Sequence, residues 1–171
     1  MHWVDREQEP NSLAKIRNKY TKKWVEYYSN DKGKKPTDSY WTDYIDRFRQ
    51  AFSDNCGYCE TLCKGEIDHF RPKSKFPKLV YEWVNWVFSC HDCNQSKLNK
   101  WLSFSYVDPC THLPKERPEN FFDFDLDTGE ILPKKNLSKV KKNQIWRMIV
   151  DLKLNALHHL KGRRFCLDLV P

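Results

Sequence analysis

Apolar residues in the first part of the chain recur at helical steps. Leu13, Ile16, Tyr20, Trp24 and Tyr27 follow one another every three or four positions behind Pro10-Asn11-Ser12, which predicts a helix from about Leu13 to Tyr28 with one apolar face. The polar stretch Asn30-Asp31-Lys32-Gly33-Lys34-Lys35-Pro36 ends it. A second helix is predicted from Thr37 or Asp38, burying a stripe of Tyr40, Trp41, Tyr44, Ile45, Phe48 and Phe52. Between Cys56 and Trp101 the period disappears, and Cys, His, Asp, Asn, Pro and aromatic residues crowd together. Further on, Phe121 to Leu126 and Glu130 to Leu132 flank Asp127-Thr128-Gly129, a hairpin signal. Ser138 is placed to cap a helix through Ile145, Met148, Ile149 and Leu152, and another helical stretch surrounds Leu154, Leu157 and Leu160. There is no internal repeat and no low-complexity segment. The closing residues Phe165 to Pro171 are apolar and are expected either to pack on the chain or to meet a partner.

Length and composition narrow this pattern. With 171 residues, 39% hydrophobic and 15% aromatic, one domain with a ring-rich core is expected over 1–171. It divides into N-terminal helices over 1–55, a chemistry-bearing core over 56–101, and a hairpin with C-terminal helices over 102–171. No apolar run approaches the ~18 residues of a membrane span, and the start Met1 to Glu7 lacks the features of an export signal, so a soluble cytoplasmic protein is expected. The net charge of +7 suits a polyanionic partner. Two acid-free basic runs, Lys15 to Lys23 and Lys134 to Arg147, read equally as solvated helix faces or as a phosphate-tracking surface.

Seven cysteines, four of them in two CxxC pairs, point to metal before disulfides. Cys56 and Cys59 precede Cys90 and Cys93 by thirty intervening residues, and four such thiolates can close a tetrahedral shell around Zn²⁺. The competing account is four ordinary buried thiols. A shell of four cysteines has no open position, so this zinc would contribute folding energy rather than reaction chemistry. Cys63, Cys110 and Cys166 are read as free thiols and His91 as a surface residue.

The insert between the knuckles is long for a zinc ribbon and holds Glu66-Ile67-Asp68-His69-Phe70-Arg71-Pro72-Lys73-Ser74 and Asn85, with Asn94 directly after the second knuckle. Phosphodiester hydrolysis needs a base to activate water, a divalent cation to stabilise phosphoryl and leaving oxygens, and groups that hold both in line. His69 is the candidate base, with Asn85 as its orienter. Asp68 and Asn94 offer the oxygen ligands that suit Mg²⁺ or Mn²⁺. Arg71, Lys73 and Lys97 are candidates to hold the nucleic-acid backbone, against a reading of each as solvated charge. Taken singly, an Asp-His pair or a loop Asn carries little weight.

The run Cys-x2-Cys, Asp68-His69-x2-Pro72, Asn85, Cys90-x2-Cys93-Asn94-x2-Lys97 resembles the HNH nucleases, over Cys56 to Trp101. The resemblance implies an α+β, mostly helical protein with a ββα-metal (His-Me finger) core: a strand around Glu66 to His69, a long loop, a strand around Trp86 to Ser89, and a helix beginning near Cys90. It implies that Asp68 and Asn94 hold the catalytic metal, that His69 is the base and that Asn85 supports it. Asn94 stands where many members of the family have a histidine; both residues occur there. The run Glu66 to Ser74, the aromatic segment Tyr81 to Phe88 and the flanking helices look like the HNH partners of retron and Septu antiphage systems, in which such a nuclease works beside an ABC/SMC-like ATPase. The expected function is therefore a metal-dependent endonuclease acting on DNA. The alternative is a zinc-stapled nucleic-acid-binding or protein-docking module without catalysis.

Overall fold

The structure, a computed structural model, describes residues 1–29 and 34–168. Asn30 to Gly33, in the expected break after the first helix, and Leu169 to Pro171, at the apolar end, lie outside the described residues. Helix α1 spans Asn11–Ser29 and buries Leu13 and Trp24, two members of the predicted stripe. The second helix is shorter and begins later than its periodicity suggests. Ser39 has non-helical dihedrals, a 3-10 turn covers Tyr40–Tyr44, and helix α2 runs only over Ile45–Ala51. The tight turn frees two rings for other work: Tyr40 donates its hydroxyl to that of Tyr20, and Trp41 leans on His69. Ser53 and Asp54, both at positive φ, then prevent the helix from continuing.

Strand β1 (Glu66–His69) pairs antiparallel with β2 (Trp86–Ser89), matching Glu66 with Ser89 and His69 with Trp86. Helix α3 (His91–Lys97) follows at once, so a ββα unit stands where the resemblance implies one. Gly65 opens β1 at φ +66, and a Cβ there would meet the Phe88 ring at 2.0 Å, so both backbone and space call for glycine. A second hairpin, β3 (Phe122–Phe124) with β4 (Ile131–Pro133), closes over the predicted turn. Helix α4 (Lys139–Asp151) is capped by the Ser138 hydroxyl, which accepts from the Lys141 backbone N–H, and α5 (Leu157–Asp168) completes the chain. Helices thus carry more residues than strands, but much of the chain between α3 and β3 is turn and loop, so the expectation of a mostly helical protein holds only in part. No helix among the described residues is long and apolar enough to cross a membrane.

One buried cluster joins these elements, with Phe48, Trp83, Trp86 and Phe88 linking α2 to the first hairpin and Ile145, Met148, Ile149 and Ile131 linking α4 to the second. Arg163 ties the C-terminal helix to both halves. It is 4% exposed, and its guanidinium donates to the carbonyls of Gly129 (2.6 Å), Cys59 (2.9 Å) and Leu154 (2.9 Å). Arg163→Ala strands those acceptors in a dry interior, and the unfolding free energy from urea denaturation is expected to fall by about 2–4 kcal/mol.

Candidate metal and catalytic site

The four knuckle cysteines converge. Their sulfurs all lie within 4.8 Å of one another and are buried, the one such set of His, Cys, Asp or Glu ligands among the described residues. Local backbone shapes the cluster: the Tyr58 N–H points at Cys56 Sγ (3.4 Å), and Cys90, as the cap of α3, accepts from the Cys93 N–H through Sγ (3.4 Å). Burial pushes the Cys56 thiol well above its ordinary range, whereas hydrogen bonds with Cys56, then Cys90 and Cys93, pull Cys59 far down. Four sulfurs so close shed their protons together only against a cation, and this donor set fits a tetrahedral ion of the zinc kind. His159 reaches Cys93 Sγ with Nε2 at 3.8 Å, and Arg163 holds the Cys59 carbonyl. Both come from α5, far along the chain, and no spacing rule marks them. Cys63 and Cys110 are free thiols, half-buried and buried; the side chain of Cys166 lies outside the described residues. His91 is exposed beside Glu66.

Alternation along β1 sends Glu66 and Asp68 toward α3. Glu66 accepts from the Asn94 side-chain amide at 2.7 Å, which turns the Asn94 Oδ1 the other way. Asp68 is 4% exposed; it accepts from the Tyr58 hydroxyl (2.7 Å), and the Lys97 ammonium lies 2.9 Å and 3.1 Å from its two oxygens. Burial raises the Asp68 pKa against the opposing pull of Lys97 and Tyr58. Lys97 is fully buried and also donates to the His69 carbonyl at 2.7 Å. Expected on a substrate phosphate, it is instead the internal counter-ion of Asp68, because its four-carbon stem reaches inward from the last turn of a seven-residue helix. A carboxylate and an amide oxygen suit a hard divalent cation, so the donor chemistry of Asp68 and Asn94 fits one, and the cation now at Asp68 is lysine.

His69, the next residue of β1, points to the aromatic side. Its ring meets Trp41 edge-on at 4.9 Å and Trp86 at 6.5 Å. Nε2 lies 2.9 Å from the Val80 carbonyl, an atom that only accepts, so Nε2 carries the proton and Nδ1 keeps its lone pair. Burial, with Lys73 and Lys97 adding to it, pushes the imidazole down to about 3, and the ring is neutral near pH 7. Asn85 makes no bond to His69. Its Oδ1 accepts from the Arg71 N–H (2.8 Å), and its amide donates to the carbonyls of Arg71 (3.1 Å) and Leu79 (3.2 Å). Asn85 thus pins the loop that presents Val80 and does not touch the ring it was expected to orient. The Trp86 indole donates to the same Val80 oxygen at 2.9 Å and steadies it further.

The remaining basic candidates diverge. Arg71 is exposed, with its guanidinium 6.0 Å from the Trp101 ring centre. Lys73 is half-buried and lies over Trp41 (4.8 Å) and Trp24 (5.6 Å), beside the aromatic cover of His69. Tyr58 and Val80 escape the sequence reading, and Trp41 is read there only as part of a buried helical stripe, not as a neighbour of His69. Only the position of Tyr58 inside a knuckle offered any hint.

A two-stranded hairpin, a short helix behind it, a cysteine cluster between the two and an Asp-His pair at the end of the first strand form a ββα unit, the core that the resemblance to HNH nucleases implies. The comparison with protein families agrees: residues 56–100 match the family model described as HNH endonuclease. Over 150 residues the chain is 29% identical to Septu protein PtuB of Bacillus thuringiensis, covering 82% of this chain and 55% of that protein. The chain thus spans about half the length of the curated relative it matches. Together the two findings support an HNH family of the Septu type.

Proposed function

We propose that this protein is a metal-dependent HNH endonuclease that hydrolyses phosphodiester bonds of nucleic acid, with DNA as the first substrate to test, and that it serves antiphage defence beside an ABC/SMC-like ATPase. The observation that carries the reading is the state of His69: a neutral imidazole whose Nε2–H is tied to Val80, leaving Nδ1 to take a proton, on the strand that also bears Asp68. In the proposed reaction Nδ1 accepts a proton from water, the water oxygen attacks phosphorus, and the P–O bond to the leaving oxygen breaks. Mg²⁺ or Mn²⁺ bound by Asp68 and Asn94 would stabilise the charge on the phosphoryl and leaving oxygens. Zn²⁺ on Cys56, Cys59, Cys90 and Cys93 would hold the scaffold, and Arg71, with Lys73 once its aromatic seat opens, would hold the backbone. Asn85 keeps the imidazole aimed by fixing the loop that carries Val80.

His69 is only 5% exposed beneath Trp41, and Lys97 stands on Asp68. That closed arrangement suits a nuclease restrained until its partner acts; it is also what favours the second reading, a zinc-stapled module without catalysis. Plasmid and oligonucleotide cleavage with Mg²⁺ or Mn²⁺, with and without the ATPase, separates the two. His69→Gln is expected to lower the rate about 10²–10⁴-fold with zinc content and circular dichroism unchanged. Cleavage by the variant at the wild-type rate removes His69 from the mechanism. No cleavage by wild type, even with the ATPase, leaves the non-catalytic module.

A further inference from the structure

A cavity of about 760 Å³ lies between the loop after β1 and the segment after α3. Its volume falls within the roughly 300–1,000 Å³ of ligand-holding pockets. Its walls are aromatic. The Trp101 ring packs against Phe70 (5.0 Å), Phe76 (5.8 Å) and Tyr106 (5.4 Å). Phe104, 58% exposed, has no aromatic partner among the described residues and offers a bare ring face. Cations stand at the same walls: Arg71 beside Trp101, and Lys141 over Phe121 at 4.7 Å. Of the two acids that line it, Asp108 is paired with Arg6 at 2.8 Å, and among the described residues neither Arg71 nor Lys141 has an ion-pair partner, which leaves Glu116 against two cations. Phe70, the residue after β1 ends at His69, and Asn85 both line the cavity, which places it at the end of that strand.

Stacking rings combined with free cations are what an unpaired base and its phosphates require, whereas a base kept inside a duplex presents no face to stack on. Neither the knuckles nor the Asp-His pair account for this surface. We infer that the cavity is a nucleotide subsite: Phe104 and Trp101 take an unpaired base, while Arg71 and Lys141 take its flanking phosphates. The substrate that reaches Asp68 is then single-stranded or locally unpaired nucleic acid. The inference rests on the endonuclease reading for its purpose, though not for its measurement.

Binding of labelled oligonucleotides to the full zinc-loaded chain, without added Mg²⁺ or Mn²⁺, tests it. A short oligothymidylate, the matching oligouridylate and a duplex of equal length are titrated separately. Each single strand is expected to bind at least about tenfold more tightly than the duplex, and Phe104→Ala to weaken single strands about tenfold while leaving the duplex alone. Preference between the two single strands identifies the sugar. A strand bearing 5-bromouracil should photo-crosslink to the peptide that carries Trp101 and Phe104, a readout independent of any variant's folding. Duplex binding equal to or tighter than that of single strands, no binding of any strand, or crosslinks mapping elsewhere would overturn the subsite. Single-strand binding by a wild type that never cuts sinks the endonuclease reading and spares the subsite. Metal-dependent, His69-dependent cutting that ignores Phe104→Ala does the reverse.

Discussion

Stripping the metal from the cysteine cluster, or replacing Cys59 by Ser, is expected to unfold the 56–101 core rather than merely soften it. Strands β1 and β2 have four residues each, and α3 has seven. A two-stranded hairpin is marginal in water by itself, and an isolated helix needs about 12–15 residues to approach stability. Beyond the aromatic packing on α2, the cysteine knuckles join these pieces, and an ion bound there would let four neighbouring sulfurs lose their protons. Structural zinc sites are worth about 10–16 kcal/mol near pH 7, comparable to or larger than the whole stability of a typical domain. The damage should also reach the chemistry, because Tyr58 lies between Cys56 and Cys59 and donates to Asp68 at 2.7 Å. Titration with a strong chelator, followed by hydrogen exchange, should show protection lost first over β1, β2 and α3, and regained when Zn²⁺ is returned. Unchanged exchange and melting after complete zinc removal would mean that the thiols pack as ordinary core residues.

The same coupling explains what a reader of the bare chain can and cannot find. Helices α1 and α4 and the Asp127-Thr128-Gly129 turn are legible because their determinants are local: an apolar step of three or four, a capping serine, a glycine that tolerates positive φ. The cysteine quartet is legible because knuckle spacing is itself a geometric statement. The late start of α2 is not, since Tyr40 and Trp41 obey the helical period yet are drawn instead to Tyr20 and His69, partners set only by tertiary placement. Within the site, residue types could be assigned in advance but contacts could not. The atom that fixes the His69 tautomer is a backbone carbonyl, which any residue at position 80 would supply, and Asn85 acts by holding that carbonyl's loop. Arg163 and His159 support the knuckles from about a hundred and about seventy residues away, a relation no local pattern encodes.

Lys97 is where charge and fold bear on each other most directly, and Lys97→Met is expected to cost about 3–5 kcal/mol of stability, the range for stranding one partner of a buried ion pair. Methionine nearly matches the stem in length but leaves Asp68, 4% exposed, with the Tyr58 hydroxyl alone, and it also deprives the His69 carbonyl of its donor. The loss should be non-additive with Asp68→Asn, because a neutral amide no longer needs a counter-ion. A double-mutant cycle in urea should therefore return a coupling of about 1–3 kcal/mol. On the proposed reading, a divalent ion held by Asp68 and Asn94 would compete with this ammonium in the wild type and not in the variant. Mn²⁺ should accordingly raise the melting temperature of Lys97→Met more than that of the wild type, with about 2.7 kcal/mol gained once the free ion reaches a hundred times its dissociation constant. If Lys97 served chiefly to hold a substrate phosphate, the opposite pattern would emerge. Stability would be unchanged, the cycle with Asp68→Asn would be additive, and only nucleic-acid affinity would fall.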